Sequence, residues 1–138
     1  MDAKYSRAQA TRVRKLGTPR VPQCVVDLDH YQRGIELFNR AAFFDAHEVL
    51  EDTWRDAPSA EKKFLQGLIQ VAVALYHHGN GNSVGARSVL RRAIRNLSRY
   101  PEGFGGIYLS HFLHATSDWL RAMDGGTAVP PLPKITRR

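Results

Sequence analysis

Cysteine is almost absent from this 138-residue sequence, which contains only Cys24. A single cysteine cannot form an internal disulfide, and without a C-x-x-C pair there is no cysteine-based zinc site. The lack of disulfides is typical of proteins of the reducing cytoplasm, which is the compartment that we expect.

Long apolar runs are missing as well. The longest is GLIQVAVALY at 67–76, which contains Gln70 and is far shorter than the roughly 20 residues that a membrane span requires. The N-terminus is basic but lacks the apolar core of a secretory signal peptide. We therefore expect no membrane partner.

The net charge of +7 is concentrated at the two ends of the sequence. Residues 1–20 carry six basic side chains and one acidic one, and residues 134–138 carry three basic ones, so the remainder is nearly neutral. Basic ends of this kind are solubilising and flexible, or they bind weakly to nucleic acid in a salt-sensitive manner. Both interpretations stay open at this point.

The spacing of apolar residues is helical through the middle of the sequence, and no stretch alternates as a strand would. Proline and glycine clusters divide it into predicted helices at about 28–39, 41–56, 60–78, 84–100 and 107–123. This pattern predicts an all-α fold, a single-domain antiparallel bundle of four to five helices. We expect a basic N-terminal segment at 1–24, the bundle at 25–124 and an extended proline-rich tail at 125–138.

Polar residues interrupt the apolar faces of two neighbouring helices. On a helical wheel His47 and Glu51 share one face, with Trp54 on the apolar flank, while Glu48 points about 100° away. In the almost wholly apolar helix at 60–78, the residues Gln66, Gln70 and His77 form one stripe.

An antiparallel hairpin about residues 57–60 would place Glu51 opposite Gln66 and His47 opposite Gln70. Buried amides and imidazoles without partners would each cost roughly 1–3 kcal/mol. We therefore expect a buried polar cluster between the two facing helices.

This cluster has two interpretations. The first is a structural hydrogen-bond network that holds the helices in register. The second is a site for a divalent metal ion, with His47, Glu51 and His77 as ligands and with His47, Glu48 and Glu51 as catalytic residues. Gln66 and Gln70 would support either arrangement. Glutamine is a poor zinc ligand, so manganese or magnesium is compatible as well.

The turn after the central helix is rich in glycine and asparagine. Asn82 and Arg87 would lie at the start of the next helix, where free N–H groups favour an anion. A plain turn explains the same residues. On that helix Arg87, Arg91, Arg92, Arg95 and Arg99 line one side.

Two stretches together resemble the helical family catalogued as domain of unknown function 309. They are FNRAAFFDAHEVLEDTWR and FLQGLIQVAVALYHHGNGNSVGARSVLRRAIRNL. The resemblance implies an all-α cytoplasmic protein and carries the label of a metal-dependent hydrolase without a named substrate. The matching positions are Asp45, His47, Glu48, Glu51, Trp54, Gln66, Gln70, His77 and Asn82.

Three hypotheses for function follow from these observations. The protein is a metal-dependent hydrolase centred on His47 and Glu51, or a non-catalytic helical binding or scaffolding module whose polar cluster is structural. The third hypothesis is weak nucleic-acid association through the basic tails and the arginine-lined helix. An exposed apolar flank on a small bundle is also compatible with a homodimer.

Overall fold

The computed structural model describes residues 27–138, which form five α-helices and one short 3₁₀ turn. This confirms the predicted all-α bundle, whereas the predicted basic segment at 1–24 lies outside the described residues. The helices are α1 (Leu28–Asn39), α2 (Phe43–Arg55), α3 (Ser59–Gly79), α4 (Ser83–Leu97) and α5 (Leu109–Gly125), with the 3₁₀ turn at Phe104–Gly106.

The break between α1 and α2 lies where the sequence predicted it. The Asp27 side chain accepts a hydrogen bond from the His30 N–H and begins α1. After Asn39 the chain turns through Ala41, which has a left-handed φ of 64°. Because this turn occupies residues 40–42, α2 starts at Phe43, two residues later than expected.

Helix α3 forms the centre of the bundle and packs between α2 and α4. Its side chains Phe64, Leu65, Leu68, Val71 and Ala72 are fully buried, as expected for a helix that is apolar on most sides. The contact with α4 is close at Gly67. A Cβ atom there would lie 2.6 Å from Leu97 Cγ, so glycine allows the two helices to approach.

A glycine-rich loop between α4 and α5 closes one end of the bundle. The Tyr31 hydroxyl donates a 2.7 Å hydrogen bond to the carbonyl oxygen of Gly105. Gly105 has a φ of 70°, and a Cβ atom there would lie 2.5 Å from the Phe64 ring. A side chain at this position would therefore be strained and would displace the ring.

The proline-rich tail runs back along the bundle without helical structure. Ile135 is buried in the main core, and the Trp119 Nε1–H donates a 2.9 Å hydrogen bond to the Pro131 carbonyl. No helix among residues 27–138 combines the length and apolar character needed to cross a lipid bilayer.

Candidate functional site

His47 and Glu51 form the polar pair that the helical spacing predicts. The two side chains lie one turn apart on α2, with Nε2 of His47 3.5 Å from a carboxylate oxygen of Glu51. On the other side of the ring, Nδ1 lies 3.1 Å from the carbonyl oxygen of Phe44. Because a carbonyl can only accept, a neutral His47 that uses this bond carries its proton on Nδ1 and has its lone pair on Nε2.

A cavity of about 190 Å³ lies beside this pair, between α2 and α3. Its wall is mostly apolar or aromatic, and imidazoles are contributed from both helices. The lining residues are Phe43, Phe44, His47, Val73, Tyr76 and His77. The structure therefore brings His47 and His77 to one cavity, whose wall also contains the aromatic rings of Phe43, Phe44 and Tyr76.

Gln70 does not face His47, and here the predicted pairing is wrong. Gln70 Oε1 accepts a 2.9 Å hydrogen bond from Asn96 Nδ2, across the contact between α3 and α4. The prediction treated α2 as the only neighbour of the polar stripe on α3. Because α3 is also covered by α4, Gln70 turns to that helix, and Val73 and Tyr76 take the positions beside His47.

The polar pair is also less buried than expected. His47 and Glu51 are both partly exposed, as is Gln66, while Glu48 and Asp45 are exposed on the surface of α2. A sealed cluster between the helices is therefore not what the structure contains. Of the predicted cluster, His47 and His77 line the cavity, and the other members do not.

Within residues 27–138, no three His, Cys, Asp or Glu side chains converge closely enough to hold one metal ion. His47 and Glu51 supply two potential ligand atoms, and His77 lines the cavity without completing a set of three. Catalytic zinc sites ordinarily use three protein ligands. The proposed metal ion stays a prediction.

Trp54 serves a structural contact at the other end of α2. The Lys62 ammonium lies 4.2 Å from the centre of its ring and donates to the carbonyl oxygens of Trp54 and Arg55 at 2.5 and 3.0 Å. A cation is stabilised by the face of an aromatic ring and by the dipole at a helix C-terminus, and Lys62 makes both interactions. Lys62 thus ties the first turn of α3 to the last turn of α2.

Asn82 and Arg87 have partners within the protein. The Asn82 side chain accepts a 3.0 Å hydrogen bond from the Gly85 N–H and caps α4. Arg87 lies 3.7 Å and Arg91 2.7 Å from the same oxygen of Asp124 on α5. These contacts hold α4 against α5, so the amide oxygen and one predicted anion-binding side chain are already engaged.

A second cavity, of about 370 Å³, adjoins the first and shares Phe43 and Tyr76 with it. It continues over the end of α3 to Trp119 on α5 and to Leu132 in the tail. We call the two cavities together the aromatic groove. The apolar spacing did not predict that Phe44, Tyr76 and Leu132 lie at the surface. All three are large apolar side chains with substantial exposure.

Comparison with known proteins agrees with the resemblance seen in the sequence. Residues 31–89 match the family model described as "Domain of unknown function (DUF309)". This segment runs from α1 through α3 into α4 and contains all six residues that line the cavity beside His47.

Two relatives have the same level of identity. An uncharacterized protein of Bacillus subtilis, YpuF, is 36% identical over 78 residues, which is 56% of this chain and 45% of the relative. An uncharacterized protein of Aquifex aeolicus is 36% identical over 73 residues, which is 52% of this chain and 22% of the relative. The match thus spans less than half of either relative.

Proposed function

We propose that this chain, whose residues 31–89 carry the domain of unknown function 309, is a helical binding module. Its aromatic groove would hold apolar side chains of a partner polypeptide. The observation that carries the proposal is the pair Phe44 and Tyr76, whose ring centres lie 5.4 Å apart on neighbouring helices. The side chains are 47% and 42% exposed.

Two aromatic rings in contact and half exposed leave apolar area available for a partner. Fully burying an aromatic side chain is worth roughly 1.5–3 kcal/mol, and each ring retains about half of its surface for that purpose. Aromatic residues are also those that dominate the energetics of protein interfaces. The first cavity is of a size to receive a single apolar side chain between the rings.

The second cavity extends this surface in one direction. Since Phe43 and Tyr76 line both cavities, a bound segment would pass from His47 over the end of α3 towards Leu132. An amphipathic helix that inserts successive apolar side chains fits a continuous groove of this kind. His47, His77 and His78 would supply hydrogen bonds at the edges, since an imidazole can donate or accept.

The polar residues of the central helix agree with a structural role in such a module. Asn96 donates a hydrogen bond to Gln70 between α3 and α4, and a polar contact of this kind between packed helices favours one helix register. The Oε1 atom of Gln70 is therefore already engaged within the protein.

Selection of displayed peptides on the purified full chain tests the proposal. We expect enriched peptides with apolar anchors at helical spacing. Phe44→Ser or Tyr76→Ser should weaken them at least tenfold, or about 1.4 kcal/mol. The matched control is Val84→Ser, because Val84 is 71% exposed and lines neither cavity. Failure to enrich any peptide, or equal loss in the control, contradicts a binding groove.

One observation favours a metal-dependent hydrolase as the second candidate. Ligating histidines usually donate their other ring N–H to a carbonyl or carboxylate, and His47 has the Phe44 carbonyl in that position. Two atoms bound to one zinc ion at tetrahedral angles lie roughly 3.3–3.6 Å apart. The Nε2 to carboxylate distance of 3.5 Å falls in this range.

In this hypothesis His47 and Glu51 would hold the ion, with His77 approaching from α3. A bound divalent ion would supply an activated water at neutral pH. The residues of this chain would orient the imidazole through Phe44 and shield the substrate with the rings of Phe44 and Tyr76. Glu48 is exposed and points about 100° away from His47 around the helix, so any catalytic role for it requires a substrate that reaches round α2.

A further inference from the structure

The C-terminal segment is held against the bundle by a side-chain clamp. The Asn39 amide nitrogen donates to the Ile135 carbonyl at 2.9 Å, and the Ile135 N–H donates to the Asn39 amide oxygen at 2.8 Å. One side chain thereby satisfies both backbone groups of a single residue. This contact recognises an extended backbone and is independent of the side chain that the backbone carries.

Backbone contacts with the loop before α5 continue the same interaction. The Tyr108 N–H donates to the Thr136 carbonyl at 2.9 Å, and the Arg138 N–H donates to the Gly106 carbonyl at 2.8 Å. Ile107 and Arg137 are paired as in an antiparallel sheet. The segment is therefore held by strand-like backbone pairing, and many proteins bind extended peptides through backbone hydrogen bonds of this kind.

Side chains of the segment alternate between the core and the surface. Pro133 and Ile135 are buried, while Lys134 and Thr136 are exposed, which is the period of two expected of an extended chain. Ile135 retains only 2% of its exposure and contributes to the main core. It is the apolar anchor of the segment.

The basic side chains of the segment also have positions that suit their charge. The Lys134 ammonium donates a 2.9 Å hydrogen bond to the Asn39 carbonyl at the C-terminal end of α1, where the helix dipole favours a cation. The guanidinium of Arg138 lies 5.9 Å from the centre of the Tyr108 ring. An extended peptide with a buried isoleucine and basic neighbours is thus what this surface fits.

We propose that the surface formed by Asn39 and Gly106–Tyr108, the Asn39 groove, is a docking site for an extended basic peptide with one isoleucine-like anchor. The chain's own residues 131–138 occupy it as a tethered competitor. The segment is joined to α5 through Gly125 and Gly126 and covers the surface of helices that pack on one another. Its release would uncover Ile135 but leave the contacts among the five helices in place, which is a local opening.

A binding experiment on the full chain tests this proposal. The probe is a fluorescently labelled peptide with the sequence of residues 130–138, and the receptor carries Ile135→Ser to weaken the tethered segment. We expect this receptor to bind the peptide at least tenfold more tightly than the unsubstituted chain does. A peptide with serine in place of its isoleucine should bind at least tenfold more weakly.

Two receptor variants serve as controls. Ile135→Ser combined with Asn39→Ala should lose the gain, because the clamp is gone. Val129→Ser should behave as the unsubstituted chain, since Val129 is exposed, lies just before the segment and makes none of these contacts. Equal binding to the unsubstituted and Ile135→Ser chains, or no binding to either, overturns the proposal.

If the Ile135→Ser chain does not fold, hydrogen exchange on the unsubstituted chain tests whether the segment can leave the groove without global unfolding. The amides of Tyr108, Ile135 and Arg138 are bonded across the groove. We expect all three to exchange at least tenfold faster than the amide of Leu68 in the centre of α3. Exchange of the four amides at one common rate would mean that the segment leaves only on global unfolding, and the proposal would be wrong.

Discussion

Gln70 and Asn96 join the two central helices through one hydrogen bond, from Asn96 Nδ2 to Gln70 Oε1 at 2.9 Å. We expect Gln70→Leu alone to lower the free energy of unfolding by about 1–3 kcal/mol, because it leaves the amide of the mostly buried Asn96 without a partner. Urea titration of the single variants and of the double variant with Asn96→Leu measures this. The double variant should lose less than the two single variants together; strict additivity would show that the hydrogen bond contributes nothing.

Tyr31 should make the stability depend on pH in the alkaline range. Burial raises the pKa of its phenol well above the ordinary value, an effect that Arg137 opposes and Glu61 reinforces. Below about pH 10 both folded and unfolded forms keep the proton. Above it the unfolded chain ionises first, so stability should fall by up to about 1.4 kcal/mol per pH unit until the folded pKa is reached.

The matched variant for this effect is Tyr31→Phe. It should lose about 0.5–1.5 kcal/mol at neutral pH, since the hydrogen bond to Gly105 is removed. Its stability should then fall less steeply between pH 9.5 and 11 than that of the unsubstituted chain. Unfolding free energies from urea titrations across this range provide the comparison, and parallel curves would contradict the raised pKa.

Gly67 should not tolerate a methyl group. A Cβ atom would lie 2.6 Å from Leu97 Cγ and 3.3 Å from the Ala93 carbonyl oxygen, so Gly67→Ala must displace the buried Leu97 side chain or force α3 and α4 apart. We expect a loss of about 1–3 kcal/mol. Gly79→Ala is the control, because no atom lies within 4 Å of its Cβ position, and it should be neutral or stabilising by up to about 1 kcal/mol. Equal melting temperatures for the two variants would exclude a close helix contact.

Zinc and manganese titrations followed by calorimetry test the metal hypothesis. If His47 and Glu51 chelate an ion, then His47→Ala and Glu51→Gln should each reduce affinity at least tenfold. His114→Ala is a close control, because the Nδ1 of His114 also lies 3.1 Å from a backbone carbonyl oxygen, that of Ser110. Asp118, one turn further, pairs with Arg121. If the affinity is unchanged in all three variants, His47 and Glu51 do not form a metal site.

The helices were predictable because local signals and apolar spacing agree. Asp27 caps the N-terminus of α1 and Asn39 is its last residue, so the bounds of α1 are as expected. The start of α2 was less accurate, because Ala41 adopts a left-handed conformation that its residue type does not announce. Within α2, spacing alone was sufficient to place Glu51 beside His47.

Relations between helices were harder to infer. A helical wheel gives the direction of Gln70 around α3 but does not say which neighbouring helix lies in that direction. The docking of residues 131–138 had no signal in the sequence either, because the clamp depends on where the end of α1 meets a segment about 95 residues later. Such contacts are set by the assembled packing and by no local preference.

Leu132 belongs both to the docked C-terminal segment and to the wall of the second cavity. Any event that lifts the segment would therefore also change the shape of the aromatic groove. Binding at the two surfaces is then thermodynamically linked, and each ligand alters the affinity of the other by the same factor. A helical partner that contacts Leu132 would hold the segment in place and keep the Asn39 groove closed to a competitor.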